Sequence, residues 1–328
     1  MLVFSCYVFN IVIRRDRHMK SLLILFITFG LVWCTGCGDD MEEINTVWNE
    51  ITGDEIQAVY EIDFDVEDLG IERVLKEERK DYLLYEVTYE GVNEQKVTGD
   101  LAIPKLEGHD GPFPLIYYFP RTRETRQDTA TIADLMGAEG WAVFATDKPR
   151  APMQKENEMV SEMLVAADSQ QAAVKNGLRG ISVCESFPEI DRDHIIAMGG
   201  SYGTTSVLIL TAIDPRIDMG ITIVGSAGRM EEQALLKYRP IYRDDLREKL
   251  IKIKSTEPLY FLPLIGEKPM LLINAKYDQN IRNVLVEKMQ NSIKGPKKVL
   301  IVDRDHIFPL KIVMPDLIQW INENMESM

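Results

Sequence analysis

Histidine and cysteine are both scarce in this chain, four of each in 328 residues. Positive charge is also in deficit: 37 Lys and Arg face 52 Asp and Glu, for a net charge of −15. That deficit argues against a nucleic-acid binder, because no basic surface large enough to neutralise phosphates is implied. The acidic balance is of the kind that keeps a protein soluble. The sequence has no internal repeat and no low-complexity tract. Its most apolar run, S-L-L-I-L-F-I-T-F-G-L-V-W from Ser21, is too short for a membrane span. What remains is a chain with 45% hydrophobic residues, enough for a folded core, in one large α/β domain or two smaller ones.

The first forty residues stand apart from that core. Arg14, Arg15, Arg17 and Lys20 precede the apolar run, and C-T-G-C-G-D-D follows it. A basic segment, an apolar segment and small residues before a break describe a secretory signal. Thr35-Gly36-Cys37 resembles the end of a bacterial lipoprotein signal, in which Cys37 would be lipidated and become the first mature residue. Cys34 stands where that pattern usually has leucine and is a rival acceptor, although Trp33 before it fits poorly. Met19 offers a second start, and an uncleaved N-terminal anchor is the competing reading. The expected organisation is a leader over 1–36, a tether and extension over 37–80, and a main domain over 81–328 with a cap insertion over about 229–267. The expected location is exported and attached to a membrane surface, periplasmic or cell-surface. With Cys37 acylated, Cys184 has no partner, so no internal disulfide is expected and Cys184 reads as a small core residue.

From residue 82 the pattern is strand, turn, strand, then regular alternation. Residues 82–90 and 96–103 read as strands joined by G-V-N-E. P-L-I-Y-Y-F from Pro114 and W-A-V-F-A-T are further strands, with a helix near 128–138 between them. Apolar residues at Val160, Met163, Leu164, Ala167, Val174, Leu178 and Ile181 follow helical spacing. Strands are then read at I-I-A-M, I-T-I-V-G, P-M-L-L-I-N-A and K-K-V-L-I-V-D. Helices are read after 201, over 229–256, near 281–292 and from Pro315. Such alternation implies a mainly parallel sheet covered on both faces, with the antiparallel pair at one edge.

G-G-S-Y-G fits G-x-S-x-G: Gly199, Ser201, Gly203. An apolar strand precedes it and a breaker-free helix follows, the context in which the turn exposes a serine hydroxyl above a sheet. A serine needs a base to become a nucleophile at neutral pH. His18 lies in the leader, His109 in a loop before the third strand, and His194 at the start of the serine's own strand, the wrong end. His306, just after the last strand, emerges at the same edge as Ser201. The orienting acid is expected after the strand between them, which selects Asp278; Asp303 and Asp305 are rivals, too close in sequence to His306 to reach across easily.

With these residues named, 82–328 resembles the α/β-hydrolase superfamily. D-R-D-H-I-I-A-M-G-G-S-Y-G and D-P-R-I-D resemble its dienelactone hydrolase, acetyl xylan esterase and prolyl oligopeptidase branches. L-L-I-N-A-K-Y-D and D-H-I-F are similar to its acid and histidine segments. The resemblance implies an α/β-hydrolase fold and serine hydrolysis through an acyl-enzyme, without cofactor or metal. It further implies a carboxylesterase acting on small-molecule or carbohydrate esters. The alternatives are a peptidase of prolyl-oligopeptidase type and a silent binding protein that kept the fold. The stretch ahead of residue 82 is too short for a propeller.

Two departures stand out. Thr204 replaces a glycine common in the family, and F-P-R-T-R-E-T-R replaces the usual His-Gly after the third strand. Pro120 has no N–H to donate, so the oxyanion donors are expected to be the Tyr202 N–H with that of Arg121 or, second, Thr122. Arg121, Arg123, Arg126, Lys148 and Arg150 all fall in loops at this edge. They could form a cationic mouth for an anionic substrate such as a uronate-bearing ester, with Arg123 and Arg150 as substrate contacts; a solvated loop balanced by Glu124 and Asp128 is the alternative. Tyr238, Tyr242, Tyr260 and Phe261 are read either as cap packing or as the lining of an acyl or sugar site.

Overall fold

A computed structural model of the chain describes residues 42–122, 124–149, 158–237 and 245–325. Among the described residues nine strands form one sheet: β1 (Glu72–Glu78), β2 (Tyr82–Glu90), β3 (Lys96–Pro104), β4 (Phe113–Phe119), β5 (Ala142–Thr146), β6 (Ile190–Gly200), β7 (Ile217–Ile223), β8 (Met270–Ala275) and β9 (Lys297–Val302). The order across the sheet is β1-β2-β3-β5-β4-β6-β7-β8-β9. Pairing is antiparallel as far as β3–β5, and parallel from β5 to β9.

The central strands are apolar on both faces because both are covered. On β4, Leu115, Tyr117 and Phe119 enter one core with α4 (Glu158–Glu185) and α5 (Tyr202–Ile213). Ile116 and Tyr118 enter the other, with α3 (Thr129–Met136) and α9 (Met314–Met325). The cap contributes α6 (Arg229–Lys237) and α7 (Leu246–Lys254), followed by two short 3-10 turns, and α8 (Asn283–Ser292) lies between β8 and β9. Cys184 is buried in α4. No helix among the described residues is long and apolar enough to cross a membrane.

The structure departs from the expected boundaries upstream. The sheet does not begin at residue 82: β1 precedes it and pairs antiparallel with β2. E-R-V-L-K-E-E gives little sign of a strand because it is an edge, exposed along nearly its whole length. Nor is the segment after Cys37 a polar tether throughout. Residues 42–50 form a helix, α1, and α2 (Gly53–Ala58) follows it. Ile44 and Trp48, one turn apart, are buried in the first core, so the helix packs on the domain. Strand β7 starts at Ile217, four residues before its most apolar stretch.

Candidate active site

The parallel strands end together at one rim, and the sequence places its reactive side chains in the segments that follow them. Ser201 stands between β6 and α5 with φ 49° and ψ −110°, a backbone conformation costly for any L residue. Its N–H donates to Ile223 O of the neighbouring strand at 2.8 Å. A side chain at Gly203 would collide with the Phe119 carbonyl, and a Cβ at Gly199 would lie 2.9 Å from the same oxygen. The glycines of the motif therefore let β4 and the serine turn approach one another. Thr204 fills space left free by Gly225, where any added Cβ would strike it, so the departure at 204 is met by a glycine at the end of β7.

The structure brings Ser201, His306 and Asp278 into one hydrogen-bonded line. His306 Nε2 lies 3.0 Å from Ser201 Oγ, and Nδ1 lies 2.7 Å from Asp278 Oδ2. The other Asp278 oxygen accepts from the Asn280 and Ile281 N–H groups at 2.8 and 3.0 Å. Both carboxylate oxygens are thus engaged, and the side chain is 4% exposed. Asp303, by contrast, pairs with Lys276 at the surface and is 69% exposed. With Asp278 accepting from Nδ1–H, the lone pair of Nε2 faces the serine hydroxyl, the arrangement needed to take its proton. His194 bonds Asp191 at the far end of β6, and His109 packs edge-on against Phe113.

Ser201 and His306 open into a cavity of about 370 Å³. Its wall includes Thr122, Tyr202, Gln170 and, from the cap, Arg229, Met230 and Glu257. Sequence reasoning missed Gln170, Arg229 and Glu257. Glu257 is fully buried and accepts from the N–H groups of Gly228, Met230, Glu231 and Leu259, holding the start of α6 in place. Burial pushes its carboxyl up from the usual range against those four donors. Nothing in P-L-Y-F or its flanks signals that role. Among the described cap aromatics, Phe261 is buried in the core and Tyr260 bridges Trp48 and Glu231; neither lines the cavity. Tyr238 and Tyr242 lie outside the described residues.

Two expectations need correction. The Arg121 N–H is not an available oxyanion donor, because it donates to Glu124 Oε2 at 2.8 Å. The same oxygen accepts from Tyr118 OH at 2.6 Å, and Oε1 accepts from Arg121 Nε. Burial raises the Glu124 carboxyl, but the Arg121 and Tyr118 hydrogen bonds outweigh it and hold the group below its ordinary value. The Tyr202 N–H begins α5 and has no acceptor within the helix. The cationic mouth also dissolves where it is described. Arg121 pairs with Glu124, Arg126 with Glu86, Asp100 and Asp147, and Lys148 with two backbone carbonyls. Arg123 and Arg150 lie outside the described residues, as does Cys37.

No family model and no curated protein matches the chain. Solved structures do. An acetyl xylan esterase from Paenibacillus sp. R4 is 17% identical with TM-score 0.65, covering 83% of this chain and 92% of its own. Acetyl xylan esterase 1 from Thermoanaerobacterium sp. JW/SL YS485 is 16% identical with TM-score 0.59, covering 86% and 93%. A putative dipeptidyl aminopeptidase IV from Bacteroides ovatus ATCC 8483 is 14% identical with TM-score 0.57, covering 74% of this chain and 36% of its own. Taken with the strand order, and with the serine turn between β6 and α5, these likenesses identify the fold of this chain as the α/β-hydrolase fold.

Proposed function

We propose that the protein is a serine hydrolase, a carboxylesterase that removes small ester groups through an acyl-enzyme. The observation that carries this reading is the line Ser201–His306–Asp278 at the wall of a cavity, with distances of 3.0 and 2.7 Å. In the proposed reaction His306 Nε2 takes the Ser201 proton as Oγ bonds to the ester carbonyl carbon. The Tyr202 N–H stabilises the developing oxyanion, and Asp278 stabilises the imidazolium. His306 then gives its proton to the departing alcohol. Water, deprotonated by the same imidazole, attacks the acyl carbon; the Oγ–acyl bond breaks, His306 returns that proton to Ser201 Oγ, and the carboxylic acid leaves. Ester rather than peptide substrates are favoured by the neighbours matched over nearly their whole length, two acetyl xylan esterases. A carbohydrate ester is the substrate class we propose. We also propose that the protein is exported and held at a membrane surface through lipid on Cys37.

The test is a fluorophosphonate probe followed by a substrate panel. Labelling is expected at Ser201 and is expected to be lost in Ser201→Ala. Acetyl esters should turn over faster than feruloyl esters or peptides. Absence of labelling would leave a binding protein with this fold, and faster cleavage of peptides would make it a peptidase.

A further inference from the structure

Pro120 lacks an N–H and the Arg121 N–H is held by Glu124, so the loop after β4 has used or lost its first two donors. The next peptide is oriented from the other side. Lys148, in the segment after β5, donates from Nζ to the carbonyls of Arg121 and Thr122, the second at 2.7 Å, and the Arg121 carbonyl also accepts from the Glu124 N–H at 3.0 Å. The Arg121 carbonyl and the Thr122 N–H belong to one peptide unit. The cis peptide among the described residues is Gly111-Pro112, so this unit is trans, and its C=O and N–H point in opposite directions. With the Arg121 carbonyl held by Lys148 Nζ and the Glu124 N–H, the Thr122 N–H points away from both donors.

What lies on that far side follows from the cavities. Lys148 lines a second cavity of about 590 Å³, together with Glu124, Asp147 and Ser169. Thr122 and Tyr202 line both this cavity and the one containing Ser201 and His306. They are the residues the two cavities share, and the Lys148 ammonium stands 6.0 Å from the Tyr202 ring centroid. We propose that Lys148 is a positioning residue that aims the Thr122 backbone N–H into the active-site cavity, where it acts with the Tyr202 N–H on the oxyanion. This rests on the serine-hydrolase reading above and supplies the second donor that reading lacks.

The arrangement accounts for a lysine at this point. Two of its three N–H donors are taken by the carbonyls, and the charge faces Glu124, Asp128 and Asp147, the first of which also pairs with Arg121. Burial lowers the ammonium's pKa and those three carboxylates oppose the shift. The loop is therefore gripped by Glu124 on one side and Lys148 on the other, which fixes the donor before substrate arrives.

The test compares Lys148→Met, Lys148→Gln and Ser201→Ala with the unaltered full chain, using 4-nitrophenyl acetate and a trifluoromethyl ketone analogue of the tetrahedral intermediate. Active sites are counted by end-point fluorophosphonate titration, which corrects for any unfolded fraction. Lys148→Met is expected to lower kcat by about 10²-fold, the usual effect of losing one such donor, with KM little changed. The inhibition constant of the ketone should rise by a similar factor, which a merely structural role would not produce. Lys148→Gln keeps uncharged donors and should fall between. Should Lys148→Met fail to fold, Lys148→Gln carries the test with an expected loss of about tenfold. A kcat within about threefold of the unaltered chain in both Lys148 variants, with Ser201→Ala inactive, overturns the role of Lys148 alone. Normal turnover by Ser201→Ala removes the serine-hydrolase reading and this inference with it.

Discussion

Ser201 holds a positive φ, and the glycines at 199 and 203 leave room for the Phe119 carbonyl beside its turn. Each member of the Ser201–His306–Asp278 line was legible as a polar residue just past an apolar strand, with the glycines of the motif marking Ser201, the elimination of three other histidines leaving His306, and the position between them selecting Asp278. The second oxyanion donor was not legible in the same way. Which N–H of P-R-T-R faces the cavity depends on where a glutamate three residues on and a lysine from another loop pull the peptides. Glu124 gives a prediction at this scale. Its carboxyl is held below the ordinary value, so its stabilisation is full above the unfolded-state pKa, near ~4.3, and disappears as pH falls through the lower folded-state value. Glu124→Gln should therefore lower stability at neutral pH by about 1.5–3 kcal/mol, the scale for hydrogen bonds to a charged group. The gap from the unaltered chain should close as pH drops below the carboxylate range. Thermal melts at steps from neutral to acid pH check this, and a gap that is constant or widens toward acid counts against it.

At the scale of elements, the strands and helices that carry alternating or continuous apolar residues were legible, while two elements that depend on long-range partners were not. Strand β1 is charged and exposed, so it is a strand only because β2 offers an edge. The sequence leading into α1 is D-D-M-E-E, and the helix is buried through Ile44 and Trp48, of which Trp48 meets the cap region some two hundred positions away. Lys254, 5% exposed on α7, donates to the carbonyls of Trp48 and Ile51 at 2.6 and 2.9 Å, a cation at the C-terminal end of α1. Its Nζ also stands 5.5 and 4.6 Å from the Trp48 and Tyr260 ring centroids. Tyr260 accepts from Trp48 Nε1 and donates to Glu231 of α6, which Lys288 also binds. The N-terminal helix is thus joined to the cap helix that borders the cavity. Lys254→Met keeps the side-chain length and leaves both carbonyls without their charged donor. It should cost about 1.5–3 kcal/mol, read as a lower urea midpoint with an unchanged slope. An unchanged midpoint would mean that α1 is held by Ile44 and Trp48 packing alone.

For the whole molecule, the strand order makes three distant segments into one rim: β6, β7, β8 and β9 run parallel as neighbours, so the chain leaves β6, β8 and β9 on the same side. The same geometry bears on the N-terminus. Five peptide units separate Cys37 from residue 42, the first of α1, and span at most about 18 Å when fully extended. Lipid on Cys37 would therefore hold the domain close to the bilayer by the N-terminal end of α1, rather than on a long leash. Cys37→Ser expressed in a bacterial host is expected to lose palmitate labelling and to move from the membrane fraction to the soluble exported fraction, with esterase turnover per labelled Ser201 unchanged. Retention of Cys37→Ser in the membrane, with release only on deleting the apolar run from Ser21, would assign attachment to an uncleaved anchor. Palmitate that persists in Cys37→Ser and vanishes in Cys34→Ser would instead move the acceptor to Cys34, three residues farther from the domain.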